Sequence, residues 1–155
     1  MKSYDINAVE QALQTQESAS FLTNGASMRP LLRTHKDMVV ISRPQHPLKI
    51  GDVPLYKKRG VDKLILHRII GIRTDGVYVI RGDNTYSKEY VPQEDVVGVM
   101  TAVYRGGKYI DCANSRGYKI YVALNRLCYP VRHIWHAQIK VMLIKIKRKF
   151  KGEKI

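Results

Sequence analysis

The sequence predicts a mainly β fold: an antiparallel β core with a short N-terminal helix before it and a basic helical extension behind it. Three observations predict this. Short apolar runs recur between Phe21 and Ile110, with turn residues separating them. The Asp75-Gly76 pair stands between two such runs, and glycine tolerates the positive φ that a tight hairpin demands. Beyond Asn114 the apolar period lengthens to three and four residues and basic side chains fill the other positions. At 155 residues and 45% hydrophobic, the chain can bury one modest core.

Residues 5–17 carry Ile6, Val9 and Leu13 on one helical side, which predicts a short first helix. Met38-Val39-Val40-Ile41 is a compact strand-like run closed by Pro44. Val53-Pro54-Leu55-Tyr56 follows a Gly51-Asp52 turn, and its proline, which cannot donate to a ladder, predicts an edge strand. Leu64 to Ile70 reads as one strand containing His67, with Val77–Ile80 as its hairpin partner across Thr74-Asp75-Gly76. Val96–Tyr104 reaches Gly106-Gly107 and is expected to pair with Lys108-Tyr109-Ile110. In the tail, Pro130 is expected to end the helix running through Tyr121 to Leu127. From Val131 onward, Trp135, Ile139, Met142 and Ile146 recur at helical spacing among Lys140, Lys145, Lys147, Arg148 and Lys149. The expected organisation is a core domain over residues 1–115 and a basic amphipathic tail over 116–155.

The formal charge of +14 is concentrated in that tail. Residues 116–155 carry 11 Lys and Arg against one acid, Glu153, a balance of +10; residues 1–115 carry 16 against 12. A basic tail calls for an anionic partner. An anionic membrane surface is the leading reading, since Trp135, Ile139, Met142 and Ile146 offer more apolar area than a nucleic-acid arm needs. Packing of the stripe on the β core is the second reading and nucleic acid the weakest. Two cysteines, Cys112 and Cys128, fit a reducing compartment. No signal peptide and no run of ~20 apolar residues is visible, so the expected location is cytoplasmic, peripheral on the inner face of the membrane. His133 and His136 flank Trp135 without a carboxylate or thiol pattern, so neither a metal nor another cofactor is expected.

The chemistry-bearing residues lie elsewhere. Ser27 follows Gly25-Ala26, small residues that let a substrate backbone approach, and Pro30 stiffens the loop behind it. A serine hydroxyl attacks only when a neighbouring base removes its proton. His67, in Leu66-His67-Arg68-Ile69, is a candidate for that base, because an imidazole is easily kept neutral near pH 7. An acidic turn follows at Gly82-Asp83-Asn84.

Ser27-Met28-x-Pro30, Gly51-Asp52-Val53, His67-Arg68-Ile69 and Gly82-Asp83-Asn84, in this order, resemble the signal peptidase I and LexA-like superfamily of serine peptidases over roughly Phe21 to Val103. Bacterial signal peptidases and LexA-type proteins have lysine at the position of His67. Histidine there is similar to the archaeal, endoplasmic-reticulum and sporulation-type signal peptidases. The resemblance implies a serine endopeptidase that forms an acyl-enzyme on Ser27 with His67 as general base. It also implies a peptide or protein substrate, with a leader peptide one such substrate. The Ser27 N–H would contribute to the oxyanion hole; Gly25 stands where common bacterial members have a second donor hydroxyl. Histidine-type members place a further aspartate six residues beyond Asp83, where this chain has Glu89. Glu89 and Asp83 are equal candidates for orienting His67. Asp52 is expected to close a turn through its side chain. Two other functions remain open: a catalytically silent peptide-binding module of the same fold, and a basic membrane- or nucleic-acid-binding protein with this core as scaffold.

Overall fold

The computed structural model describes residues 6–61 and 63–151. Asp5 and Glu153 lie outside the described residues, as do the side chains of His136, Lys140, Lys145, Ile146, Lys147, Arg148 and Lys149. The described chain divides into two compact units at Ile120/Tyr121.

The first unit is mainly antiparallel β. Helix α1 (Ile6–Thr15) precedes strands β1 (Ser18–Leu22), β2 (Asp37–Ser42), β3 (Pro54–Lys57), β4 (Leu64–Leu66), β5 (Arg68–Ile72), β6 (Tyr78–Arg81), β7 (Glu89–Val91), β8 (Val96–Arg105) and β9 (Lys108–Asp111). A six-stranded sheet runs in the order β1-β2-β8-β3-β4, with β9 also paired to β8. A three-stranded sheet runs β5-β6-β7. One core cluster draws Tyr56 from the larger sheet and Ile69, Tyr78, Ile80 and Val91 from the smaller, with Ile65, Val96 and Val99 packed against it. Helix α1 buries Val9 and Leu13, the face its periodicity marks.

The Asp75-Gly76 hairpin forms as expected: Gly76 has φ of 82° and Val77 N donates to the Asp75 carboxylate at 3.2 Å. It joins β5 to β6. Two expectations about the strands fail in instructive ways. Residues 64–70 are not one strand: β4 pairs with β3 in the larger sheet, β5 pairs with β6 in the smaller, and His67 occupies the crossing between them. A continuous apolar run does not reveal where a chain leaves one sheet for another, because both segments are apolar. Nor is β3 an edge strand, since it lies between β8 and β4. Pro54 begins the strand and pairs only toward β8, opposite Val99; pairing with β4 starts at Leu55. The missing N–H therefore falls where the ladder does not require it.

Helix α2 (Arg116–Lys151) runs from the end of the first unit through the second. Pro130 sits inside it rather than dividing it. Proline's own φ is helical, so it forfeits the hydrogen bond to the residue 126 carbonyl while the ladder on either side can still form. Among the described residues no helix is long and apolar enough to cross a membrane.

Candidate active site

Three strand ends build the site. In the antiparallel β5-β6-β7 sheet, the start of β5, the end of β6 and the start of β7 lie at the same end, with Arg68 opposite Arg81 and Ile80 opposite Glu89. His67 immediately precedes β5, Gly82 and Asp83 follow β6, and Glu89 begins β7. The topology thus brings together residues separated by more than twenty positions in sequence.

His67 is buried and its Nδ1 lies 3.2 Å from Glu89 Oε1. The Tyr56 hydroxyl lies 3.3 Å from the same nitrogen. Burial first, then the Glu89 charge, raises the Tyr56 pKa far above its ordinary value, so the phenol remains protonated. Lys58 Nζ pairs with Glu89 Oε2 at 3.0 Å. Burial of Glu89 opposes its ionisation, but the hydrogen bond and charge of Lys58 outweigh this and hold its pKa below the usual value. Glu89 is therefore anionic at neutral pH, and an anionic acceptor beside Nδ1 favours the tautomer with the proton on Nδ1 and the lone pair on Nε2. Burial lowers the His67 pKa, and the opposing attraction of Glu89 does not restore it. The imidazole is neutral at pH 7, the form a general base needs.

Asp83 serves the adjacent residue. Its carboxylate accepts two hydrogen bonds from Arg68, Nε at 2.8 Å and Nη2 at 2.7 Å, with both side chains buried. Arg68 Nη1 also donates to the Gly51 carbonyl at 2.7 Å and to the Tyr118 hydroxyl at 3.2 Å. The Gly51-Asp52 turn is closed by Lys49 N donating to the Asp52 carboxylate at 2.9 Å, as expected. That turn is bonded in both directions to Ile69, with Gly51 N donating to Ile69 O and Ile69 N donating to Asp52 O, each at 2.9 Å. Of the two acids the sequence left equal, Glu89 stands at His67 and Asp83 at Arg68.

The serine loop is fastened to this frame through the Gly82-Asp83-Asn84 turn. Asn84 N donates to the Ser27 carbonyl at 2.7 Å, and Asn84 Nδ2 donates to the Ala26 carbonyl at 3.2 Å. A Cβ on Gly82 would lie 2.7 Å from the Ser27 carbonyl oxygen and 3.1 Å from His67 Cδ2, so only glycine lets the two approach. Cδ2, on the side of the ring away from the Nδ1 that faces Glu89, thus lies beside Gly82, which also abuts the Ser27 carbonyl. Behind the loop, fully buried Asp37 accepts from Arg33 N at 2.9 Å and Arg33 Nη2 at 2.8 Å. Arg105 bonds both Asp37 and the Leu31 carbonyl. Among the described residues no hydrogen bond joins Ser27 to His67, and none engages the Ser27 N–H.

Ser27, His67, Glu89 and Lys58 all line one cleft of about 350 Å³. Its other walls are largely apolar, including Phe21, Met28, Ile41, Leu55 and Leu66, with Val9 contributed by α1. A mostly apolar cleft with a few convergent polar groups is the usual form of a ligand site. Among the described residues no cluster of three or more His, Cys, Asp and Glu side chains is placed to hold a metal. Sequence reasoning missed Tyr56 and Lys58, and it gave no task to Asn84. The available signal for Asn84 was its place in the Gly82-Asp83-Asn84 block. Tyr56 and Lys58 had none, since their role depends on how β3 lies against β7.

Comparison of the chain with protein-family models gives no match, and comparison with curated proteins gives none.

Proposed function

We propose that the chain is a serine endopeptidase of signal-peptidase-like type, with Ser27 as nucleophile, His67 as general base and Glu89 as the group orienting the imidazole. The observation that carries this reading is the placement of His67: Nδ1 stands against Glu89 and Cδ2 beside Gly82, which also abuts the Ser27 carbonyl, while Ser27, His67 and Glu89 line the same cleft. Nε2 takes the proton of Ser27 Oγ as the oxygen attacks the scissile carbonyl carbon. The imidazolium that forms faces the Glu89 carboxylate, which offsets its charge. The Ser27 N–H is a donor for the developing oxyanion. Nε2 then gives the proton to the leaving amine as the C–N bond breaks, leaving an acyl-enzyme. Water, deprotonated by the same imidazole, attacks the ester and restores the Ser27 hydroxyl. The resemblance of the four sequence blocks supports the same chemistry. Asp83 is assigned a positioning role, holding Arg68 and the turn that carries Asn84. A cytoplasmic location belongs to this proposal and is tested by fractionation of the tagged chain.

Labelling with a serine-reactive acylating probe tests the nucleophile. Wild type should be modified at Ser27 and Ser27→Ala should not. Equal labelling of the two proteins removes Ser27 as nucleophile. Absence of labelling in both, with peptide binding retained, favours the second reading, a catalytically silent peptide-binding module, which the same apolar cleft would serve.

A further inference from the structure

We propose that the exposed apolar face of α2 between Leu124 and Met142 seats this helix in the plane of an anionic lipid surface. Leu124, Leu127, Val131, Trp135, Ile139 and Met142 recur at three- and four-residue steps and so share one face, over about 27 Å of helix. All six are exposed, from 42% for Ile139 to 75% for Leu127. A continuous apolar stripe left in water marks an interaction surface, whereas isolated exposed apolar residues need no explanation.

The charge of the helix selects the partner. From Cys112 through Gly152 the sequence has no aspartate or glutamate and ten Lys and Arg. A second copy of the chain would cover the stripe but bring two helices of like charge together without an acid on either to offset them. Nucleic acid would satisfy the charge through its phosphates and leave the stripe in water. An anionic bilayer does both: the apolar face enters the headgroup and acyl boundary while the basic side chains reach the headgroups. Trp135, mid-stripe and 68% exposed, is the residue type that favours this interface. Because α2 is too polar to cross a membrane, the helix lies on the surface.

Trp135 is the sole tryptophan of the chain, so intrinsic fluorescence reports this face directly. The full chain is titrated with vesicles of phosphatidylcholine alone and of phosphatidylcholine with phosphatidylglycerol, across a salt series, with sedimentation in parallel. The expected result is a blue shift of emission and co-sedimentation with the anionic vesicles, reduced but not abolished by high salt. The Leu127→Gln/Val131→Gln double variant keeps every charge and changes only exposed side chains. It should lose at least tenfold in vesicle affinity, and Leu124→Gln, one turn away, should fall in the same direction. No blue shift or sedimentation with anionic vesicles at low salt overturns the proposal. So does binding that high salt releases completely and the glutamine variants leave unchanged, which would indicate a purely electrostatic arm. A blue shift without vesicles that depends on protein concentration would assign the face to a second copy instead.

Discussion

The His67 imidazole is pulled in opposite directions, by burial that disfavours its charge and by a carboxylate that favours it, and burial dominates. Only the neutral ring accepts a proton, so activity should rise through a pKa below the ordinary value of about 6.5 and be fully developed at pH 7. Two variants should move this acid limb in opposite directions. Glu89→Gln removes the attraction for the imidazolium, so the limb moves to still lower pH. It also loses the anionic acceptor that holds the proton on Nδ1, and turnover should fall on the order of 10²–10⁴-fold. Lys58→Met removes a cation that opposes the charged ring, so the limb moves up. Turnover measured against pH in the three proteins checks both signs, and limbs that coincide would detach the network from the base. Asp83 and Glu89 could not be ranked from sequence because His67 and Arg68 are neighbours at a crossing between sheets. Two basic side chains and two acids were visible; which acid met which depended on where each side chain left the backbone.

The β6–β7 connection is the element on which the candidate site turns. It carries Gly82 between the Ser27 carbonyl and the His67 ring, Asp83 to Arg68, and Asn84 to two carbonyls of the serine loop. Gly82→Ala would place a methyl 2.7 Å from the Ser27 carbonyl oxygen, an atom fixed by the bond from Asn84. Backbone must move, and overpacking of this kind costs about 1–3 kcal/mol. We expect a chain that still folds, with a lower urea midpoint, and a loss of acylation much larger than the loss of stability. Unchanged acylation would show that the spacing of serine and histidine is not set here. At this scale the sequence was legible where a local rule acts and silent where distant pairing decides. Asp75-Gly76 specifies its turn by backbone conformation alone, so the hairpin could be read directly. The interior position of β3 and the division of residues 64–70 between two sheets depend on which strands lie alongside, which no local pattern records.

At the scale of the molecule, the candidate site and the apolar stripe belong to different compact units, while one helix belongs partly to both. Tyr118 lies in the first turn of α2, within the first unit, and its hydroxyl meets Arg68 at 3.2 Å. Cutting the chain where the composition changes, after Arg116, removes that hydroxyl along with the tail. Cutting after Ile120 keeps it. Arg68 is buried and holds Asp83, the Gly51 carbonyl and Tyr118 at once, so loss of one bond to this cation should cost about 1–3 kcal/mol. The chain ending at Ile120 should therefore retain acylation of Ser27, because every residue assigned to the site precedes the cut. The chain ending at Arg116 should unfold at lower temperature and label more weakly, and Tyr118→Phe in the full chain should reproduce part of that loss. Thermal unfolding and probe labelling of the three proteins measure this together. Equal behaviour of the two truncations would mean that Tyr118 braces nothing, and loss of labelling in both would make the rest of α2 a working part of the core.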